Sequence, residues 1–289
     1  MKYFYYSGCS LEGTALEYNL STQAVMRALG IELIELEDWT CCGASAAETI
    51  SELLSMVLPA RNLALAARMD MDCDFLIPCS ACYLNLRKVD EHLGKDEGLL
   101  EKINEVLQEE GLSYQGGIRS RHLLDVIATD IGAEMIKGKV TRELSGLRIA
   151  PYYGCQALRP YGGYDDPEQP RCMEPLIEAL GAEVHPWTMG AKCCGAGLMT
   201  TKKEIAVELT GELLKAARGA DCIATVCPMC QMNLDSYQKK VSQAKGEDLG
   251  ISVLYLPQLI GIALGLREED LKLGLNMAYS GSLRAKLNN

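Results

Sequence analysis

The stretch DCDFLIPCSACYLNL, Asp72 to Leu86, decides the fold. It runs Asp-Cys, a short apolar segment, Cys-x-x-Cys, and then Asn-Leu. A short apolar run that stops at a polar loop reads as a buried strand, so Cys79 and Cys82 fall in the loop that follows it. The same order returns in DCIATVCPMCQMNL, Asp221 to Leu234, where Cys227 and Cys230 take that place. Ala-Ala-Arg precedes both copies, at Ala66 to Arg68 and Ala216 to Arg218.

Working outward, each copy is preceded by a Cys-Cys-Gly trio, in DWTCCGASA (38 to 46) and GAKCCGAGL (190 to 198). Before each trio lies a glycine turn and a strand-like run, Gly30 to Trp39 and Gly181 to Trp187. Each half opens on an apolar and aromatic run ending in Gly-Cys, YFYYSGC at Cys9 and RIAPYYGC at Cys155. So many features in one order mark an internal duplication.

Helical patterns separate the strands. Residues 14–28 set Leu16, Leu20, Ala24, Val25 and Leu29 near one face. Residues 51–69 are apolar and alanine-rich, with Pro59 either kinking the helix or starting a second one. Residues 201–218 open on Thr201-x-x-Glu204, a capping-box pattern, and carry Ile205, Val207, Leu209 and Leu213. Each half therefore reads strand, helix, three times over, the pattern of a parallel sheet covered by helices. The middle, residues 95–146, reads as two helices near 98–110 and 119–137 that pack on the first half and bridge to the second. The expected fold class is α/β, with a first domain at 1–146 that includes this helical linker and a second at 147–289.

Composition excludes several classes. Hydrophobic residues make up 48% and charged residues 23%, as in a soluble globular protein. The net charge of −11 argues against nucleic acid as the main partner. The opening MKYFYYSGCS lacks the apolar core of a secretion signal. The longest apolar run, ISVLYLPQLIGIALGL (251 to 266), is too short to span a bilayer and reads as a strand followed by a helix. A cytoplasmic protein without membrane insertion is expected. In such a setting thirteen cysteines point to metal or redox chemistry rather than disulfides.

Five cysteines in each half have regular spacing. In the first, 31 residues separate Cys9 from Cys41, and 36 separate Cys42 from Cys79, with Cys82 closing the set. In the second, 37 separate Cys155 from Cys193, and 32 separate Cys194 from Cys227, with Cys230 closing it. Each cysteine follows a strand, and loops at strand carboxyl ends of a parallel sheet gather at one edge. Five thiolates are one too many for a tetrahedral zinc site and for a cubane 4Fe–4S cluster. Adjacent cysteines such as Cys41 and Cys42 suit two irons of one centre. The small residues after each pair (Gly43, Ala44, Ser45; Gly195, Ala196, Gly197) allow close backbone approach and amide hydrogen bonds to sulfur.

The pattern C-x(31)-CC-x(36)-C-x-x-C, repeated as C-x(37)-CC-x(32)-C-x-x-C, resembles the cysteine-rich CCG domain family, and within it the B subunits of heterodisulfide reductases. The resemblance covers nearly the whole chain. It implies two noncubane 4Fe–4S clusters, one held by Cys9, Cys41, Cys42, Cys79 and Cys82, the other by Cys155, Cys193, Cys194, Cys227 and Cys230. It implies reductive cleavage of the coenzyme M–coenzyme B disulfide between two pseudo-twofold-related domains. Since the chain has neither a ferredoxin run nor a flavin fingerprint, electrons must come from partners. By resemblance these are two further subunits of one complex, one ferredoxin-like and one flavin-bearing.

Other residues have plainer roles to set beside the functional ones. Cys73 and Cys222, at equivalent places, are read as small buried hydrophobes rather than ligands, and Cys172 as core or helix surface. His92 and His122 are expected on surface helices and His185 in a strand, none with an assigned role. The substrate's sulfonate, phosphate and carboxylate make Lys192, Arg159, Lys202 and Lys203 candidate substrate residues, against ordinary surface charge. Trp39 and Trp187 could wall the clusters, with core packing the plainer role. The competing functions are a related oxidoreductase serving sulfur, lactate, glycolate or quinone-linked chemistry, a noncatalytic electron-transfer subunit, and a zinc-stabilised binding module that leaves the fifth cysteine unexplained.

Overall fold

A computed structural model describes residues 1–44, 46–69, 71–93 and 95–287. Ser45, one of the small residues expected after the first cysteine pair, lies outside the described residues. The strands form two four-stranded sheets. The first holds β1 (Lys2–Tyr5), β2 (Glu32–Glu35), β3 (Phe75–Ile77) and β4 (Ser120–His122) in the order β2-β1-β3-β4. The second holds β5 (Arg148–Tyr152), β6 (Glu183–Val184), β7 (Cys222–Thr225) and β8 (Ser252–Tyr255) in the order β6-β5-β7-β8. All six strand pairings are parallel. The inner strands β3 and β7 are buried along their length, which explains their unbroken apolar character.

This strand order determines where a site can form. In each sheet the chain runs outward one way from the first strand and then returns to its other side. The crevice at the carboxyl ends of such a switch point is where open parallel sheets bind ligands. The switch lies between β1 and β3, and between β5 and β7. Cys9 follows β1 and Cys79 follows β3; Cys155 follows β5 and Cys227 follows β7.

The two halves exchange helices. Leu16–Leu29, which follows β1, packs on Leu256–Ala263, which follows β8. The equivalent pair, Glu174–Ala179 and Gly132–Lys137, packs in the same way. Tyr18 stacks on Tyr255 with ring centroids 4.0 Å apart, and its equivalent Tyr164 stacks on His122 at 6.2 Å. A pseudo-twofold thus relates the halves, and each side of the joint is built from both.

Several expectations need correction. Residues 119–137 are not one helix. They begin as β4, which completes the first sheet, and continue as Leu123–Val126, a π turn at Ile127–Ile131 and Gly132–Lys137. His122 is therefore not on a surface helix; it ends β4 and is wholly buried. The capping box at Thr201 and Glu204 does not form. The helix begins at Lys203 after Lys202, with no side-chain cap. Pro59 does not start a second helix, the latter of its two readings, since Glu52–Arg68 runs through it. The helix Leu16–Leu29 buries Tyr18, Ser21, Thr22, Val25 and Met26 and leaves Leu16 exposed. Its inner face meets a helix of the other half, so small hydroxyl residues replace part of the apolar stripe.

Candidate functional site

Each cysteine set is assembled at a switch point. The glycine that starts each set, Gly8 or Gly154, has φ of +68° or +71°, a backbone shape that side chains disfavour. A Cβ on Gly8 would lie 3.2 Å from the Cys82 sulfur, and one on Gly154 would lie 3.0 Å from the Cys230 sulfur. Glycine therefore lets the chain turn and leaves room for the closing thiol. Gly43 and Gly195, at +81° and +76°, let the chain turn after each pair, where a Cβ would meet Ala47 or Ala206 instead of a thiol.

The sulfurs converge. In the first set Cys9 and Cys41 are 3.6 Å apart, and Cys42 and Cys82 are 3.3 Å apart. In the second, Cys194 and Cys230 are 3.5 Å apart. Cys42, Cys79, Cys82, Cys194, Cys227 and Cys230 are buried, whereas Cys9, Cys41 and Cys193 reach solvent and Cys155 is half-buried. All ten expected cysteines thus gather at the two switch points. Cys73 and Cys172 are half-buried outside the sets, and Cys222 is buried within β7.

Supports around each set repeat across the duplication, and the sequence reading missed them. The Tyr6 hydroxyl donates to the Thr40 carbonyl at 2.7 Å, and the Tyr152 hydroxyl to the Lys192 carbonyl at 2.8 Å. Each thereby fixes the residue just before a cysteine pair. Trp39 and Trp187 pack edge-on against these tyrosines, at 5.5 and 6.0 Å. Asn85 donates to the Cys42 and Ala44 carbonyls at 3.0 Å, and Asn233 to the Cys194 carbonyl at 3.0 Å. The repeated Tyr-Tyr and Asn-Leu pairs were the signals for these supports.

The thiols cannot all ionise together, because like charges this close oppose one another. Cys42 is pulled down to about 3 by hydrogen bonds from Cys41 and Cys82, with the Ala44 amide and Asn85 adding to them against burial. Cys41, Cys82, Cys155 and Cys230 are pushed up by the thiols they face and by burial. Cys193 is lowered to about 6, chiefly by Cys155. Such a crowd of mutually opposed thiols needs a positive centre to hold them all as thiolates. Among the described residues no group of three or more His, Cys, Asp or Glu side chains is arranged to hold a single metal ion.

A cavity of about 260 Å³ opens at the second set. All five of its cysteines line the wall, joined from the first half by Ala44, Ser80 and Ala81. No lysine or arginine lines it. Lys192, Lys202 and Lys203 are exposed outside this wall. Arg159 spends its guanidinium on the Pro167 and Ala191 carbonyls and on Glu168. His92 is half-buried on the helix Ser80–Leu93, and His185 is buried just after β6. No helix among the described residues is long and apolar enough to cross a membrane.

A family model described as CCG, cysteine-rich domain, matches residues 3–87 and again 149–235. The chain is 36% identical over 280 residues to the 8-methylmenaquinol:fumarate reductase membrane anchor subunit of Wolinella succinogenes, covering 96% of each. It is 30% identical over 278 residues to a heterodisulfide reductase B-subunit-like protein of Archaeoglobus profundus, covering 93% of this chain and 92% of that one. A crystal structure of a hypothetical protein from Helicobacter pylori matches with a TM-score of 0.78 at 16% identity. That match covers 96% of this chain and 52% of the other, and it speaks to the fold alone.

Proposed function

We propose, from the premise that this chain belongs to the CCG cysteine-rich domain family, that it is the part of a multi-subunit iron–sulfur oxidoreductase in which a disulfide substrate is reductively cleaved. Two noncubane 4Fe–4S clusters would be held by Cys9, Cys41, Cys42, Cys79 and Cys82, and by Cys155, Cys193, Cys194, Cys227 and Cys230. The residues fit such a group: sulfur is the ligand type in both sets, most of it is buried, and glycine stands where a Cβ would press on Cys82 or Cys230. When bound, the clusters supply one-electron transfer and iron able to take sulfur.

The observation that carries the reading is the cavity, which brings all five second-set cysteines to a wall shared with the first half. The protein's own part is to orient and to exclude water. Tyr6, Tyr152, Asn85 and Asn233 fix the backbone that presents each pair. The glycines let the chain approach closely, and Met229 and Leu198 give the cavity an apolar lining. Cleaving one S–S bond takes two electrons and two protons and yields two thiols. The electrons would come from two partner subunits, one ferredoxin-like and one flavin-bearing, in the cytoplasm. We take residues 1–146 and 147–289 as the two domains. The coenzyme M–coenzyme B disulfide is the candidate substrate, with the exposed Lys192, Lys202 and Lys203 as candidates for its anionic groups outside the cavity; Arg159 is already engaged by Glu168 and two carbonyls.

One observation favours a second reading. The cavity lining carries no cation, which suits an uncharged quinol better than a disulfide with three anionic groups. The relative from Wolinella carries menaquinol in its name. In that reading the same two sites relay electrons.

Metal and sulfide analysis of anaerobically purified protein tests the centre: about eight irons and eight sulfides per chain are expected for two 4Fe–4S clusters. Stoichiometric zinc, or half that iron, would overturn the paired-site reading. Spectroscopy of the loaded protein separates the substrates. A signal change on adding the heterodisulfide but not a menaquinol analogue supports cleavage, and the reverse supports relay.

A further inference from the structure

The halves differ in the helix that packs across the joint. In the first half it runs for fourteen residues, Leu16–Leu29, and in the second for six, Glu174–Ala179. Counting back from the glycines that follow, Gly30 and Gly181, puts Pro170 where the first helix has Asn19. Proline breaks a helix interior, so the residues before Glu174 form a loop instead. Asp165 accepts the Arg171 and Cys172 amides, and Asp166 accepts those of Glu168 and Gln169, which pins that loop. Beside the shortened helix lies a groove of about 880 Å³, within the range of small-molecule sites.

Tyr153, alone among the described residues, lines both this groove and the cysteine cavity. Its hydroxyl accepts the Met173 amide at 2.8 Å and donates to the carboxylate of Glu174, which also lines the groove. Glu174 is half-buried, and burial raises its pKa against the Tyr153 hydrogen bond. The first half has no such pair, because Ser7 and Gln23 hold the equivalent positions. The groove floor leads straight to the second set. The Tyr153 and Gly154 amides donate to the Gly190 carbonyl at 3.0 and 3.1 Å. Tyr153 stands two residues before Cys155, and Ala191, also in the floor, two before Cys193. Trp187 gives the groove a half-buried aromatic wall, and Pro170, Pro175 and Pro186 add apolar surface. Its charged side chains are Glu168, Glu174, Glu178 and Arg171, a balance that disfavours an anion. A basic peptide would need only the charge. An uncharged ring that sheds protons with its electrons needs the aromatic wall, the carboxylate and the nearby centre together.

We propose that this groove is a hydroquinone site, in which the ring lies against Trp187, Glu174 takes the hydroxyl proton, and electrons pass beside Tyr153 to the second cluster. The inference rests on the quinol reading above, and it seats the quinol next to the second set rather than among its sulfurs. Oxidising one hydroquinone to the quinone releases two electrons and two protons. The two clusters take one electron each, the second cluster first. Glu174 takes the protons in turn and releases each to solvent.

The test uses the loaded, full-length protein, with 2,3-dimethyl-1,4-naphthoquinone and its quinol as probes. The quinone should quench tryptophan fluorescence. Trp187→Phe, which leaves Trp39 as the chain's one tryptophan, should abolish the quenching. The quinol should reduce the second cluster, seen by electron paramagnetic resonance after rapid freezing. Glu174→Gln, at matched iron content, should still bind the quinone but be reduced roughly a hundredfold more slowly. Thr188→Phe fills the groove from an exposed position in its wall and should lose quenching and reduction together. Quenching that is missing in the wild type, or that survives Thr188→Phe, overturns the proposal. So does a Glu174→Gln protein reduced as fast as the wild type. Quinone that binds the isolated chain but not its purified complex would mean that a partner segment fills the groove, and overturns it too. A quinol that reduces neither cluster sinks the quinol reading itself, whereas one that reduces them equally well in Thr188→Phe sinks only the groove.

Discussion

Among the free thiols the first set lowers the pKa of buried Cys42, whereas the second lowers that of exposed Cys193 together with buried Cys227. In the first, the depressed thiol is Cys42, which is 1% exposed and takes the Ala44 amide at 3.4 Å. In the second, the amide two residues on from the pair's first member, Gly195, donates instead to Cys193 at 3.3 Å, and Cys193 reaches solvent. The spacing motif is the same, yet the turn after the pair aims its amide at a different sulfur. Only the second set lines the 260 Å³ cavity. The two centres therefore differ in surroundings: Cys9 and Cys41 of the first reach solvent, and all five cysteines of the second line the cavity.

The largest effect that could break this comparison comes from the glycines. Gly8→Ala and Gly154→Ala each place a methyl group on a sulfur and force a residue into a left-handed backbone that costs about 1–2 kcal/mol. Each variant should lose its own centre and keep the other, falling to about four irons per chain. Gly154→Ala has the closer contact, 3.0 against 3.2 Å, and should lose its iron more completely. Iron analysis of the two proteins side by side decides it. Equal loss from both sites in either variant would mean that the halves do not assemble their centres separately.

A smaller but sharper contrast lies in thiol reactivity. In the reduced, metal-free protein at pH 7, Cys193 lies above its pKa of about 6 and is exposed, so it is mostly thiolate. Cys41 is also exposed, but Cys42 and burial push its pKa up and keep it protonated. Because the thiolate is the nucleophile, iodoacetamide should label Cys193 roughly tenfold faster or more. As pH falls through about 6 the Cys193 rate should drop, since its proton returns there. Peptide mass spectrometry over time reads both rates. Faster labelling at Cys41 would place the outer charge on the wrong set.

Much of this arrangement was legible in the sequence. The repeated order of strands, cysteine pairs and Cys-x-x-Cys gave the parallel sheets and the ten converging thiols, because spacing and strand-end loops are local properties. What stayed hidden depends on contacts distant in sequence, within a half or between the halves. β4 is only three residues long and carries Arg121 and His122, so its apolar signal was too short to separate from the helix that follows. Arg121 could be buried there because Asp74, Asp125 and Asp130 surround it. The inner face of Leu16–Leu29 contains Ser21 and Thr22, and the helix packs on Leu256–Ala263 of the other half as well as on β2. Neither the Tyr153–Glu174 pair nor the direction of the amide at each turn leaves a trace in spacing.

The smallest expected effect tests the joint itself. The Tyr18 hydroxyl lies 3.1 Å from both the Pro78 and the Val226 carbonyls, the two residues that precede Cys79 and Cys227. Its equivalent, Tyr164, buries a hydroxyl with no hydrogen-bond partner among the described residues. Removing a satisfied buried hydroxyl exposes a loss of about 1 kcal/mol, whereas removing an unsatisfied one relieves a desolvation cost of similar size. Tyr18→Phe should keep the ring stacked on Tyr255 and still destabilise the protein. Tyr164→Phe should leave stability unchanged or raise it. Urea denaturation under anaerobic conditions, with both variants at matched iron content, gives the two midpoints. If they shift equally in the same direction, the hydroxyls are equivalent and the asymmetry seen between the cysteine sets does not extend to the joint.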